Sequence, residues 1–192
     1  MTQTRRDFIR NSAMLAAAFA APFGAARAQD RVKLFKWVPH ADLSVVDPMF
    51  STSYITQIYA MMVFDTLFGL DENYEAQLQM ADSHEVSDDR LVHTITLRDG
   101  LTFHDGAPVT AEDCVASIKR WMSRSGLAKS LVPVTASVEA SDDKTIIFTL
   151  TEPFPLLTML LARPQSGCAI MPASEANSEE RLDRPTGSGP YK

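Results

Sequence analysis

The run LRDGLTFHDGAPVTAEDC, residues 97–114, constrains the fold of this chain more than any other stretch. It carries two Asp-Gly pairs, at 99–100 and 105–106, and glycine there supplies the positive φ of a tight turn without a Cβ clash. Between the turns, residues 101–104 (LTFH) read as a short extended segment. Pro108 biases Ala107 towards extended backbone. Thr110, with Asp113 three residues later, makes the pattern in which two side chains satisfy free amides at a helix start. The order is strand, turn, strand, turn, capped helix, which is a scaffold rather than a reactive centre.

The rest of the body continues in short elements. Residues 32–38 (VKLFKWV) are rich in strand formers. A helix is predicted over 54–64, with Ile55, Ile58, Tyr59 and Met62 at helical spacing and Ser51 or Ser53 at its start. Strands are predicted at 67–70, 80–86 and 91–97, separated by the turns 71–73 and 88–90, as a small antiparallel meander. In the last of these, Leu91, His93, Ile95 and Leu97 share one face. The capped helix runs over 111–123, with Val115, Ile118 and Met122 central and Cys114 and Trp121 at its edges. A short strand at 138–140, a turn at 141–144 and a strand at 145–150 follow. Pro153 and Pro155 end that strand and open a helix over 156–161. A last strand at 168–171 leads into a mostly helical polar segment, 173–181, and the Arg184-Pro185 linker. Strands interrupted by helices without regular βαβ alternation indicate an α+β fold.

Candidate chemistry is sparse. His104-Asp105 places an imidazole beside a carboxylate, a frequent general-base pair. Adjacent turn positions send the two side chains apart, however, and the turn itself favours Asp. His40, His84 and His93 lack short-range ligand spacing such as H-E-x-x-H. Gly187-Ser188-Gly189 lacks the G-x-S-x-G frame of a nucleophile turn and reads as a tight backbone crossover. No GxGxxG, P-loop or CxxC occurs. The reading is a non-enzymatic chain with no cofactor and no metal. Cys114 and Cys168 could pair in an oxidising compartment, although a small buried thiol is the plainer role for Cys114.

The first 28 residues read as an export signal. Thr4-Arg5-Arg6-Asp7-Phe8-Ile9-Arg10 is a twin-arginine pattern, an apolar run at 13–21 follows, and Ala26-Arg27-Ala28 offers small residues for cleavage before Gln29. The apolar run is shorter than the ~20 residues that span a bilayer. Residues 1–28 hold four Arg and one Asp, which leaves 14 basic and 23 acidic residues, net −9 against −6 for the whole chain. Such an acidic body argues against a nucleic-acid partner.

Several landmarks occur in order: SVVDP (44–48), VFDTLF (63–68), SHEVSDD (83–89), the signature run at 97–114, CVASIKRW (114–121) and GSGPY (187–191). Together they resemble the extracellular solute-binding proteins of family 5, the peptide- and nickel-type receptors of ABC importers. Two departures are small: His84 stands where the family usually has Trp, and Ser188 where it usually has Thr. The resemblance implies the N-terminal portion of a two-lobed periplasmic-binding-protein fold (type II, extended cluster), with a mixed sheet, flanking helices and the second lobe absent. The main lobe would take 29–50 and 186–192 and a minor subdomain 51–185. The implied function is periplasmic capture of an oligopeptide or similar small solute by lobe closure and delivery to ABC permease subunits in the inner membrane, after export by the twin-arginine translocase. The loop after Asp47-Pro48 borders the ligand cleft in such receptors, which makes Met49, Ser51, Thr52, Ser53 and Tyr54 the candidate binding residues. Hydroxyls and backbone groups there can bond a peptide main chain without reading its side chains, and the same hydroxyls can cap the following helix. His40 beside Asp42 is the candidate if the solute is a nickel chelate. The family's strongest charge anchor falls beyond Lys192, so weak or absent affinity is expected of the chain as it stands. Two alternatives accompany this reading: a truncated remnant of such a receptor, and an exported enzyme whose cofactor domain is missing.

Overall fold

The two Asp-Gly pairs turn where the sequence requires them to, with Gly100 at φ 76° and Gly106 at φ 91°. The computed structural model describes residue 36 and residues 38–192. The export signal at 1–28 and nearly all of the strand expected at 32–38 lie outside the described residues. Residues Pro39–Lys192 form one compact unit. Its elements are helix α1 (Tyr54–Val63), strands β1 (Phe68–Leu70), β2 (Ala76–Leu78), β3 (Ala81–Val86) and β4 (Val92–Leu97), helix α2 (Ala111–Arg124), two 3-10 turns, strands β5 (Thr135–Ala140) and β6 (Thr145–Leu150), and helices α3 (Leu157–Ala162) and α4 (Ala173–Ala176).

The sheet arrangement differs from a meander. β1 pairs with β2 in a two-stranded sheet, while β3, β4, β6 and β5 lie in that order in a second sheet. Strand β2 has only three residues, AQL, too short for its alternation to register in the sequence. The four-stranded sheet is two hairpins joined through the β4–β6 pairing, with Ile95 opposite Ile146 and His93 opposite Phe148. All pairings among the described residues are antiparallel, so any parallel part of the expected mixed sheet lies outside them. The alternation read in β4 holds: His93, Ile95 and Leu97 are buried, and β6 repeats the pattern with Ile146, Phe148 and Leu150. Aspartates close the connecting turns. Asp71 accepts from the amides of Asn73 and Glu75, and Asp142 from those of Lys144 and Thr145. Such Asx turns are why Asp recurs at these positions.

Helix α2 forms as its capping pattern dictates. Thr110 Oγ1 accepts from the Asp113 amide at 3.3 Å, and Asp113 Oδ2 accepts from the Thr110 amide at 2.8 Å. The other carboxylate oxygen of Asp113 takes the Ala173 amide at 2.7 Å, so the cap also docks a distant segment. The buried stripe is centred on Cys114, Ile118 and Trp121, each at most 1 % exposed, while Met122 is only half-buried. That corrects the expectation that Cys114 and Trp121 would lie at the edges. The stripe is broad because the helix is covered twice, by β5 and β6 and by the run leading into α4. Ser117 Oγ bonds both the amide and the carbonyl of Met171.

Three other expectations change. Residues 168–171 form no strand and join no sheet; the Ile170 amide donates to the Asp65 carbonyl instead. The helix expected over 173–181 is a single turn, because Ser178, Glu179 and Glu180 present their carbonyls to arginines rather than to a helix. Residues 101–104 make one isolated bridge, Thr102 with Pro108, rather than a strand. Both cysteines are free and buried. Burial pushes the Cys114 thiol far up, and that of Cys168 likewise.

His84 and His93 form a pair on the inner face of the sheet. Their rings are stacked with centroids 5.2 Å apart, Nε2 of His84 lies 3.0 Å from Nδ1 of His93, and Phe68 meets His84 edge-on. Burial lowers both imidazole pKa values, and for His84 the neighbouring His93 adds to the effect. A lowered folded pKa means that the unfolded chain binds more protons in this range, so stability is complete above about pH 6.5 and falls as pH drops below it. Urea midpoints should therefore decline between pH 7 and pH 5. A His84→Leu/His93→Leu variant should show a flatter profile, and an equal slope in both proteins would exclude this pair as its cause.

Candidate functional site

The SVVDP motif does its work through Asp47, which is fully buried. Its Oδ1 accepts the Met49 amide at 3.0 Å, and its Oδ2 accepts the Leu182 amide at 3.1 Å. The same Oδ2 meets Arg120 Nη2 of α2 at 2.7 Å, and this ion pair has side-chain exposures of 1 % and 0 %. Arg120 also donates to the carbonyls of Ser178 and Glu180. Three segments far apart in sequence are thereby joined at one carboxylate. Outside this knot, the Phe50 ring carries Arg124 at 4.0 Å and Arg120 at 5.1 Å in cation–π contacts.

The loop so fixed walls two hollows. One, of about 250 Å³, is lined by Met49, Phe50, Ser51 and Thr52 on one side and by Trp121, Arg124, Ser125 and Ser166 on the other. The second, of about 280 Å³, lies against α1, with Gln57, Met61 and Phe64 facing Thr66, Gln79 and Arg163. Pro48 and Gly167 line both, so the hollows adjoin across these residues.

Of the five residues expected at the site, Met49, Ser51 and Thr52 line the smaller hollow. Met49 is buried, Ser51 is half-buried and Thr52 is exposed. Ser53 and Tyr54 line neither hollow. Ser53 is the N-cap of α1 but makes no side-chain cap bond. Ser51 turns inward instead, its Oγ accepting from the Ser53 amide at 3.1 Å. Tyr54 is 55 % exposed and tilts against the His40 ring, centroids 5.6 Å apart. No group of three or more metal-ligating side chains stands together among the described residues.

Sequence reasoning missed Gln57, the hub of this wall. It is buried; its Nε2 donates to the Ser51 carbonyl at 2.6 Å and its Oε1 accepts the Ser166 amide at 2.6 Å. The buried side of α1 is Ile55, Thr56, Gln57, Ala60 and Val63, with Ile58, Tyr59 and Met62 only half-buried. The stripe is rotated from the one expected because polar Thr56 and Gln57 are buried to hold the loop. Ser166 is held at φ 55°, a left-handed conformation uncommon for a residue with a side chain. The Gln57 bond and the Trp121 Nε1–H donated to its carbonyl at 2.7 Å fix it from both sides.

His104 belongs to the frame. Its ring Nε2 donates to the Gly189 carbonyl at 2.7 Å and its amide to the Gly187 carbonyl at 2.9 Å. This seats GSGPY on the end of α1, where the Gly189 amide reaches the Val63 carbonyl at 2.9 Å. A Cβ on Gly187 would come within 1.9 Å of that carbonyl oxygen, so only glycine fits.

The model of the bacterial extracellular solute-binding proteins, family 5 (Middle), matches residues 75–192. The chain belongs to this family. A Sinorhizobium fredii protein named as a probable peptide ABC transporter periplasmic-binding protein is 39% identical over 196 residues, covering all of this chain and 36% of that protein. The glutathione-binding protein GsiB of Escherichia coli is 31% identical over 154 residues, 79% of this chain and 30% of its own. Among solved structures, the periplasmic binding protein DppA of Helicobacter pylori in complex with the peptide STSA superposes with a TM-score of 0.68 at 26% identity, covering 79% of this chain and 35% of that one. AgaA of A. tumefaciens R10 in complex with agropinic acid gives 0.69 at 27% identity, covering 79% and 31%. This chain thus spans about a third of the length of the curated relatives it matches. These relatives are transport binding proteins, and their fold is the α+β binding-protein fold expected from the landmarks. No helix among the described residues is long and apolar enough to cross a membrane.

Arg120→Met removes the guanidinium but keeps much of the stem, leaving the Asp47 carboxylate buried without a cation. Breaking a buried pair in this way costs about 3–5 kcal/mol. Urea unfolding should show a loss of that size, and a loss under about 1 kcal/mol, typical of an exposed pair, would contradict the role given to Asp47.

Proposed function

We propose that this chain contributes one lobe of the substrate-binding component of an ABC importer, which captures a peptide or similar small solute and delivers it to permease subunits in the inner membrane. The observation that carries the reading is the loop after Asp47-Pro48, anchored by a buried ion pair and walling two adjoining hollows. A rigid, partly apolar wall that includes Ser51 and Thr52 suits a ligand bound through its main chain. Met49, Ser51 and Thr52 line the wall, while Ser53 and Tyr54 flank it at the start of α1. The names of the relatives, a peptide-transport protein and a glutathione-binding protein, support a small peptide-like solute. Closure would be a hinge motion of this lobe against a second one, with 29–50 and 186–192 parts of the main lobe and 51–185 its minor subdomain. The twin-arginine pattern at 4–10 supports export of the folded chain to the periplasm by the twin-arginine translocase, and residues 1–28 would then be removed.

Trp121 lies at the floor of the smaller hollow and reports on its occupancy. In a Trp37→Phe background its emission should change saturably when a mixture of tripeptides is titrated to millimolar concentration. Thr52→Tyr, which fills the hollow, should weaken the response by roughly tenfold, a loss of ~1.4 kcal/mol. No change in emission at any concentration would count against the cleft.

A further inference from the structure

One wall of the larger hollow is backed by the paired histidines. Thr66, Gly69 and Leu70, on and beside β1, line that hollow with Gln79, which follows β2 and whose amide donates to the Leu67 carbonyl at 3.1 Å. Among them Phe68 is buried and points the other way, its ring meeting the His84 ring edge-on with centroids 5.4 Å apart. His84 is in turn backed by His93, Nε2 to Nδ1 at 3.0 Å with the ring planes 10° apart. At that spacing one nitrogen donates an N–H and the other must be free to accept it. The groups around the pair offer a proton no counter-charge. Strands β1, β2 and β6 and helix α3 carry no titratable side chain. On β3, Asp82 and Glu85 are exposed, and Glu85 stands opposite Thr94, on the other face of the sheet from His84. In the β3–β4 turn Asp88 and Arg90 are exposed, and Asp89 accepts from the Ser87 hydroxyl and the Leu91 amide. Asp65 accepts from the Gln79 side chain, and Arg120, the buried cation of α2, is held by Asp47. No ion pair among the described residues includes a histidine.

We propose that the His84–His93 pair is a proton-operated support for the β1–β2 wall of the larger hollow, holding Phe68 while both rings are neutral and releasing it, and the wall with it, in mild acid. A first proton places an uncompensated charge in a site that burial already makes unfavourable to it. A second sets two N–H groups against each other across 3.0 Å, so the rings must part. His84 cannot move without disturbing Phe68, and the residues on either side of Phe68 form the wall. The consequence for capture, a weaker hold on solute at low pH, rests on the reading of the hollows as the solute cleft. By linkage, a solute held at the intact wall opposes protonation of the pair by the same factor.

The test follows the isotope-labelled 192-residue chain by amide and imidazole correlation spectra from pH 7.5 to pH 5.0. The amides of Gly69, Leu70 and Gln79 should shift with the ring protons of His84, at one midpoint below the ~6.5 of a free imidazole. His84→Gln, which can still bond His93 but cannot titrate, should reduce those amide shifts at least about threefold, and His84→Leu/His93→Leu should abolish them. Wall amides that stay still while His84 titrates, or that shift as much in both variants, overturn the support. Trialanine, whose two ends keep their charges at pH 7.0 and pH 5.0, reads the coupling. It should bind at least about threefold more weakly at pH 5.0, and equally at the two pH values in His84→Gln. Equal affinity in the unsubstituted chain refutes the coupling. If trialanine shifts no amide at either pH, the cleft reading fails and the coupling with it, while the support itself is decided by the first measurement alone.

Discussion

The contact between Asp47 and Arg120 governs how this structure is put together. A buried ion pair adds little net stability, because desolvating both charges offsets most of their attraction. Its value lies in what it forbids. Once Arg120 is committed to the inside of α2, a conformation that leaves Asp47 elsewhere strands a cation in the core. The Met49 and Leu182 amides complete the carboxylate's bonding, so the loop, the helix and the strap that follows α4 are specified together. The remaining donors of Arg120 hold the carbonyls of Ser178 and Glu180, which is why that strap stops being helical after one turn.

From that knot the wall of the hollows follows. Pro48 and Met49 sit directly beside Asp47, and Gln57 ties the next residues to Ser166 from the opposite side. Trp121, one position after Arg120, fixes the Ser166 carbonyl. A loop held at so many points is ordered in advance, and preorganisation of this kind lowers the entropic cost of any binding event. The signature turn and GSGPY form a second, separate clamp through His104, closing the frame around the end of α1.

Much of this frame was legible in the residues. The Thr110/Asp113 cap, the Asp-Gly turns, the alternation of β4 and the ordered landmarks are local patterns, and local geometry realises them. What escaped detection was set by distance. Nothing near Arg120 or Asp47 in sequence tells that they meet, since 73 residues separate them. Gln57 looked like a neutral helix position because its side-chain partners, Pro48, Ser51 and Ser166, come from loops. Strand β2 is too short to show a period, and residues 168–171 are apolar but meet no sheet edge, the Ile170 amide donating to the Asp65 carbonyl instead. At the site itself, the hydroxyl-rich loop pointed to five residues, of which Met49, Ser51 and Thr52 line a hollow, whereas distant lining residues such as Trp121 and Ser166 are brought there only by the fold.

The central claim is that Asp47 locks its loop and the 178–182 strap into the core as one unit. Amide hydrogen exchange at Met49 and Leu182 reads that lock directly, since both amides donate to the Asp47 carboxylate. The account predicts that these two amides exchange only by the opening that releases central strand amides such as those of Ile95 and Phe148, and with similar protection. Exchange at either amide as fast as at exposed loop positions such as Thr52 would contradict it.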